Sequence, residues 1–486
     1  MERIVPRPRL RAVVAALAAL LTVGLTFAQN LPFPLEEGEG EFATREVVSG
    51  LEMPWEIAWG PDDRLWVTER EAGRVIRVDP QDGTITEALV IDDVLVGPQH
   101  EGLLGMALHP ELLQGTGNDF VYLVYTYDDD PGEAVMRRAR LVRYTYDEAT
   151  EQLGEPQVLL EGVPAGDDHN GGRLAIGPDM KLYYTIGELG GNQFANFRNP
   201  IEAQRLPTAD EVAAEDWSAY VGKVLRVNLD GSIPDDNPEI DGVRSHVYTY
   251  GHRNPQGLAF GPDGTLYQAE HGPKSDDEVN VLQPGGNYGW PHIAGYQDDM
   301  AYVYANWSEA PEGVEYSDFV IPEGVPVQAE SEWEVTDHVE PIQTFFTVPD
   351  DYEFENTPCG DIGFICWPTI APSNLAYYDA DAIPGWQGSL LVVSLKHGRV
   401  YQLQLSDDGR SVDGDPVYYF ESVNRYRDLA FSPDGTTVYV ITDSRNFTAA
   451  DEGGLTDELA NPGAILEFTY QGDGADGGTE GDTQGD

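Results

Sequence analysis

"LAIGPDMKLYYTIGE", residues 174–188, sets an apolar run, a Gly-Pro-Asp corner and a second apolar run end to end. Proline pre-sets φ for the corner and the aspartate side chain caps the backbone beyond it, so the stretch reads as strand, tight turn, strand. The pattern returns at "IAWGPDDRLWVTE" (57–69), "LAFGPDGTLYQAEHG" (258–272) and "LAFSPDGTTVYVITD" (429–443). Weaker copies stand at "MALHPELLQGTGNDFVYLVYT" (106–126) and "WQGSLLVVSLKHGRVYQLQL" (386–405), which makes six units.

One such unit cannot cover its own two faces, whereas units set radially bury their faces against neighbours and leave only short edges. The expected fold is all-β: a six-bladed β-propeller with four-stranded antiparallel blades and long loop insertions. Helical signal is sparse, and "TADEVAAEDWSAYVGK" (208–223) reads as a short helical insert. The chain between 299 and 368 shows no hairpin repeat and reads as a long loop excursion over one face.

Arginines at 3, 7, 9 and 11 precede an apolar stretch from Ala12 to Ala28. That is the layout of a secretory signal peptide over 1–28, short for a membrane anchor. An exported protein, periplasmic or extracellular and without a membrane anchor, is expected. A linker over 29–41, a propeller over 42–470 and a disordered acidic tail, "QGDGADGGTEGDTQGD" (471–486), complete the division.

The chain carries 85 acidic and 28 basic residues, a net charge of −57. Nucleic acid and anionic lipid are disfavoured as partners. With 41% hydrophobic residues, the excess fits an acidic shell around an ordinary core, as in a protein working in concentrated salt. Cys359 and Cys366 are the only cysteines, and in an exported chain the close pair reads as one small-loop disulfide.

Three polar clusters stand ahead of, or beside, the repeats. Asp168-His169-Asn170 with Gly171-Gly172 puts an imidazole beside a carboxylate on a backbone that a ligand can approach closely, which suits a general base near neutral pH. "GHRNPQG" (251–257) presents Arg253, Asn254 and Gln256, followed by "EHGPKSDDE" (270–278). An arginine there suits a planar anionic or carbonyl-bearing ligand. "SLKHG" (394–398) and "NRYRD" (424–428) add Lys396, Arg425 and Arg427 in a chain whose lysines are only 181, 223, 274 and 396. Three cations in so acidic a background suggest a bound anion carrying several carboxylates or a phosphate. No G-x-S-x-G, HExxH or helix-opening GxGxxG occurs, so serine hydrolase, zinc protease and nicotinamide dehydrogenase readings lose support.

Eight stretches in order resemble the soluble, pyrroloquinoline-quinone (PQQ)-dependent glucose dehydrogenases and their aldose sugar dehydrogenase relatives, over about 42 to 470. They are "EGLLGMALHPE", "DHNGGRLAIGPDMKLYYTIGE", "GKVLRVNLDGSIPDDNP", "GHRNPQGLAFGPDG", "GPKSDDEVNVLQPGGNYGWP", "CGDIGFICWPTIAPSN", "SLKHGRV" and "NRYRDLAFSPDG". The resemblance implies oxidation of the C1 hydroxyl of an aldose to the lactone at the mouth of a six-bladed propeller that holds the quinone and calcium. It places the general base on His169, with Asp168 beside it on the substrate, and Arg253 near the reactive quinone carbonyl. Arg253, Asn254, Thr369, Lys396, Arg425 and Arg427 fall on cofactor-binding positions, so the three cations meet the quinone's acid groups. His100, Asp168, Gln193 and Trp367 fall at the sugar. Calcium at the cofactor falls on the carbonyls of Gly272 and Pro273. Further calcium positions fall on Glu278, Tyr288, Ala294, Asp298 and Glu330, which support the subunit interface of the glucose enzyme, so a calcium-supported homodimer is expected. An external acceptor, a small quinone or a cytochrome, completes the turnover.

The chain departs from the family's pattern where His100 stands with Gln99 shifted by one, where Glu188 replaces Asp, where His271 replaces Gln and where Phe364 replaces Tyr. These departures bear on which sugar is taken more than on the reaction. Two other readings remain: a calcium propeller hydrolase of lactones or phosphoesters, which has no need of Lys396, Arg425 and Arg427 together, and a carbohydrate-binding propeller without catalysis, in which the base or the cations would be eroded.

Overall fold

The repeated Gly-Pro-Asp corner folds the same way in each unit. In the third unit the N–H of Gly177 donates to Lys181 O at 2.9 Å, that of Met180 to Gly177 O at 2.9 Å, and the Asp179 carboxylate accepts the Lys181 N–H at 3.1 Å. The residue after the aspartate takes a left-handed backbone, φ 56° at Met180 and 87° at Gly264, which closes a two-strand hairpin with the right twist.

The computed structural model describes residues 35–472 apart from 98–99, 131, 133, 336–337, 356 and 451–453. The signal-peptide segment 1–28, linker residues 29–34, Gln99 and all but the first two residues of the acidic tail lie outside the described residues.

Six blades form the propeller, each with four antiparallel strands, and the fifth gains a parallel outer strand, Glu36–Glu37, beside Val417–Tyr419. Their innermost strands are Pro54–Trp59, Leu103–Leu108, Leu174–Ile176, Pro255–Phe260, Pro372–Tyr378 and Tyr426–Phe431. Second strands such as Leu65–Glu69 and Ser389–Ser394 are buried along their whole length, because a neighbouring blade covers each face. Outermost strands such as Ile85–Val90 alternate with solvent. The core is accordingly a ring of interfaces between blades. Trp66 and Val75 of the first blade pack on Leu103 and Val121 of the second, and Ile57 and Leu65 pack on Tyr439 and Ile441 of the last.

The structure adds to the sequence expectation at three places. Glu41–Val48 pairs antiparallel with the C-terminal strand Ile465–Gly472 as the outermost strand of the sixth blade, so the two ends of the chain close the ring. The 386–405 repeat is one strand out of phase, since the inner strand of the fifth blade is Pro372–Tyr378. The 299–368 excursion also supplies Gln343–Phe345, the fourth strand of the fourth blade. Elsewhere it is mostly loop, with a two-stranded pair of Tyr304–Ala305 and Val327–Gln328 and short 3-10 turns, and it carries the Cys359–Cys366 disulfide. The helical insert is a single turn, Ala209–Ala213, started by a Thr208–Glu211 capping box.

Across the central channel one side chain ties the blades together. Arg173 donates to Gln256 O, Ser373 O and Asp428 at 2.9 Å each and meets Glu56 at 2.6 Å, with its guanidinium 4.2 Å from the Trp55 ring. Through these partners, and through the Met106 N–H on Glu56, inner-strand residues of the other five blades converge on this arginine of the third.

Candidate active site

Loops entering the inner strands and loops leaving the second strands meet at one mouth of the propeller. His169 stands in the loop before the third inner strand, with φ 45°, and its N–H is held by Asp168 Oδ1 at 2.9 Å. Gly187 passes so close beneath that a Cβ there would lie 1.9 Å from the His169 carbonyl oxygen. His169 Nδ1 is 2.5 Å from Glu188 Oε1, and the other Glu188 oxygen accepts the Gly191 N–H at 2.9 Å. A carboxylate fixed in this way holds the imidazole proton on Nδ1 and turns Nε2, as a proton acceptor, to the site. Gln193 Nε2 lies 3.4 Å from that Nε2. His100, largely exposed, touches Asp168 Oδ1 at 2.6 Å. Burial works against ionisation of Asp168, but the His169 and His100 imidazoles hold its carboxyl well below the usual range.

Arg253 faces His169 across Gln193, whose Oε1 accepts from Arg253 Nη2 at 2.9 Å. Its backbone N–H donates to buried Glu270 at 2.8 Å, and its guanidinium lies 5.3 Å from the Trp290 ring. Arg253 Nε and Asn254 Nδ2 are buried without a hydrogen-bond partner. Asn254 Oδ1, by contrast, accepts from Gly171 N–H and Gln256 Nε2 at 3.3 and 3.0 Å. Buried donors left open cost about 1–3 kcal/mol each and mark where a ligand with acceptors belongs.

Lys396 donates to Trp367 O at 3.1 Å and to Thr369 Oγ1, and burial pulls its ammonium down to about 7 against the opposing charge of Asp277. The Asp277 carboxylate links the two loops, accepting from Gly272 N–H at 2.8 Å and from Ile370 and Ala371 N–H at 2.7 Å each. Arg425 and Arg427 share Asp443 at 3.0 and 2.9 Å, and Arg425 also donates to Leu395 O and Phe447 O. Less of their charge is therefore open than the sequence alone suggests. Arg427, Asn254, His100 and His271 wall one cavity, together with Arg70, whose guanidinium burial lowers to about 10. His271 also walls the adjoining cavity with Arg253, Gly272 and Pro273.

The donor set suits a flat polyacid such as a quinone with acid groups: open N–H donors, a desolvated ammonium and guanidinium groups on two sides of one mouth. For calcium, no three His, Cys, Asp or Glu side chains converge as a metal site among the described residues. An ion at Gly272 and Pro273 would rest on main-chain carbonyls, the hard oxygen ligands calcium takes. Of the further positions, Glu278 and Glu330 accept backbone N–H groups from Gly295 and from Ala294, Asp298 and Asp299. Asp276 Oδ2 beside them is buried without a partner, and burial pushes Asp276 and Glu330 each up to about 7. Such an excess of buried carboxylate fits a cation. The Tyr288 hydroxyl turns away into the fourth blade, donating to Val281 O at 2.7 Å, so only its carbonyl is available for that role.

Residues 51–327 and 359–449 match the family described as Glucose / Sorbosone dehydrogenase. The chain is 42% identical over 481 residues to quinoprotein glucose dehydrogenase B of Acinetobacter calcoaceticus, covering 95% of this chain and 99% of that one. The chain belongs to the glucose/sorbosone dehydrogenase family. It is 29% identical to an aldose sugar dehydrogenase of Escherichia coli over 81% of this chain and 88% of that one. A solved structure of the PQQ-bound form of an aldose sugar dehydrogenase from Streptomyces coelicolor is similar at a TM-score of 0.59 and 28% identity, over 89% of this chain and 99% of that one.

The sequence-predicted positions gather into separate contact groups around the mouth. His100, Asp168, His169, Gln193, Arg253 and Asn254 form one contiguous group, and Trp367, Thr369 and Lys396 form a second. Glu278 and Ala294 line the cavity that also holds Arg253, Gly272 and Pro273, and Asp298 and Glu330 stand behind them, around Asp299. Phe364 is exposed on the rim. Arg70, Glu270 and Asp443 complete the mouth without a motif of their own. A signal for them exists: each stands at or one residue past the end of the second strand of a repeat, in "WVTER", "YQAE" and "YVITD", close to where Glu188 stands two residues past it in "YYTIGE".

Proposed function

We propose that this chain is a PQQ-dependent dehydrogenase that oxidises the C1 hydroxyl of glucose or a related aldose to the lactone. The observation that carries the reading is the His169–Glu188 pair, opened by Gln193 onto the same mouth as the unpaired donors of Arg253 and Asn254. Lys396, Thr369, Asn254, Arg425 and Arg427 would hold the quinone's acid groups, and the carbonyls of Gly272 and Pro273 would hold calcium beside it. Bound there, the quinone supplies an electron-poor carbonyl that accepts hydride from C1.

His169 Nε2 takes the proton of the anomeric hydroxyl, and Glu188 stabilises the imidazolium that results. Arg253 places its charge where negative charge develops on oxygen. Asp168, kept ionised by two imidazoles, accepts a sugar hydroxyl, and His100, Gln193 and Trp367 frame the ring. One proton and one hydride leave the sugar, so the lactone balances without water. Electrons then pass to an external acceptor, a small quinone or a cytochrome. The acidic surface fits an exported protein working in concentrated salt, and Glu278, Tyr288, Ala294, Asp298 and Glu330 fit calcium positions that support a homodimer.

Dye reduction by the purified chain in molar salt, with an aldose panel, tests the reading. Activity that needs both added PQQ and calcium is expected. A chain that reduces dye with no aldose after both additions would rule the reading out.

A further inference from the structure

The face opposite the mouth carries a cleft of about 350 Å³ between the second and third blades. Its walls include His109, which follows the second inner strand, and Lys181, which stands at the Gly-Pro-Asp corner of the third blade. Neither belongs to the site described above. Lys181 is one of four lysines. Lys223 Nζ donates to Ala203 O and Val221 O, Lys274 Nζ donates to Asp318 O and Lys396 stands in the mouth. The ammonium of Lys181 makes no hydrogen bond or ion pair among the described residues.

A second, independent observation lies in the depth of the cleft. Tyr122 is 0% exposed, and its hydroxyl makes no well-formed hydrogen bond, having only the Arg143 guanidinium beside it. Arg143 sits beside it, fixed by stacking 4.1 Å over the Phe120 ring and by a hydrogen bond to Gln157. His109 Nδ1 accepts the Glu111 N–H at 3.1 Å, so the ring proton is on Nε2 as another donor. Asp230 is the one carboxylate in the described lining, and it accepts from Ser232 N–H and Oγ at 3.0 and 2.6 Å. Asn118 and Asn228 direct their amide N–H groups to Glu111 and Ser232, which leaves their carbonyl oxygens as acceptors.

We propose that this cleft is a second binding site, for a small polyhydroxylated carboxylate. The guanidinium of Arg143 and the ammonium of Lys181 receive the carboxylate. The Tyr122 hydroxyl and the two asparagine carbonyls meet hydroxyl groups, and the volume matches a sugar acid of about six carbons. The aldonate formed when water opens the lactone ester has this chemistry, so the choice of ligand rests on the dehydrogenase reading.

Equilibrium dialysis of labelled D-gluconate against the quinone-loaded full chain, at fixed molar potassium chloride, tests it in the wild type, Lys181→Ser and Tyr122→Phe. Saturable binding of one gluconate per chain is expected, weakened at least about tenfold in Lys181→Ser. Tyr122→Phe should weaken it several-fold with little fall in the unfolding midpoint, because the lost hydroxyl makes no well-formed hydrogen bond in the free protein. Turnover of glucose should be unchanged in both variants. Equal binding in all three proteins, displacement by glucose, or displacement by acetate as readily as by gluconate would overturn the proposal. Gluconate binding that Lys181→Ser abolishes in a protein oxidising no aldose would uphold the cleft and sink only the dehydrogenase reading.

Discussion

Arg173 and Arg253 are both buried arginines of one propeller, 1% and 7% exposed, yet their surroundings differ in kind. Arg173 meets two carboxylates, two backbone carbonyls and a tryptophan face, and none of its nitrogens lacks a partner. Arg253 meets Gln193, the His271 carbonyl and the Trp290 ring, and its Nε has nothing to bond. Burying a charge is costly unless the protein completes its hydrogen bonds. A cluster completed from within holds blades together, whereas one left incomplete implies a guest that completes it.

The contrast can be broken most forcefully at the axis. Arg173→Met leaves Glu56 and Asp428 facing one another without their cation and should cost about 3–5 kcal/mol. Urea unfolding in molar salt measures this, and an unchanged midpoint would remove the structural role assigned to the cluster. At the mouth the same kind of surgery should leave stability alone and strike function. His169→Ala should lower kcat about 10²–10⁴-fold in a dye-linked assay, with the unfolding midpoint unmoved. Glu188→Gln should lose the charged hydrogen bond that orients the imidazole, about 10- to 100-fold in kcat, with a shifted acid limb of the pH profile. An acid limb that stays in place would assign Glu188 a packing role only.

A further expected effect concerns Lys396 in the cofactor-free chain. Its ammonium falls from the ordinary 10.5 to about 7 on folding, chiefly through burial. Between those values the unfolded chain holds a proton that the folded chain lacks, so stability rises with pH across that window. Lys396→Met should lack the rise. Urea midpoints at the two ends of the window check both statements.

The same contrast explains what the sequence made legible. The Gly-Pro-Asp corners, with four long apolar runs beside them, named the blades because turn chemistry and strand propensity are local. The pairing of Glu41–Val48 with Ile465–Gly472 was not legible, since nothing in either strand records a partner more than 400 residues away. Gln343–Phe345 was hidden for a similar reason: three residues of strand in a loop-rich stretch carry no period. At the mouth, His169, Arg253 and the cations announced themselves by rarity against an acidic background. Asp443, which shares Arg425 and Arg427, did not, because one aspartate among 85 acidic residues is silent until the fold places it. Arg173 was equally silent, being an arginine inside an ordinary repeat, and the number of partners that gives it meaning exists only in three dimensions.

The central claim is that the open donors and cations of the mouth await a polycarboxylate quinone. It is tested most directly by titrating the wild type and Lys396→Met with pyrroloquinoline quinone, calcium present, and following the quenching of tryptophan fluorescence. The account predicts one quinone per wild-type chain and an affinity about 10- to 100-fold weaker in Lys396→Met. No saturable binding by the wild type, or equal affinity in the two proteins, would contradict it.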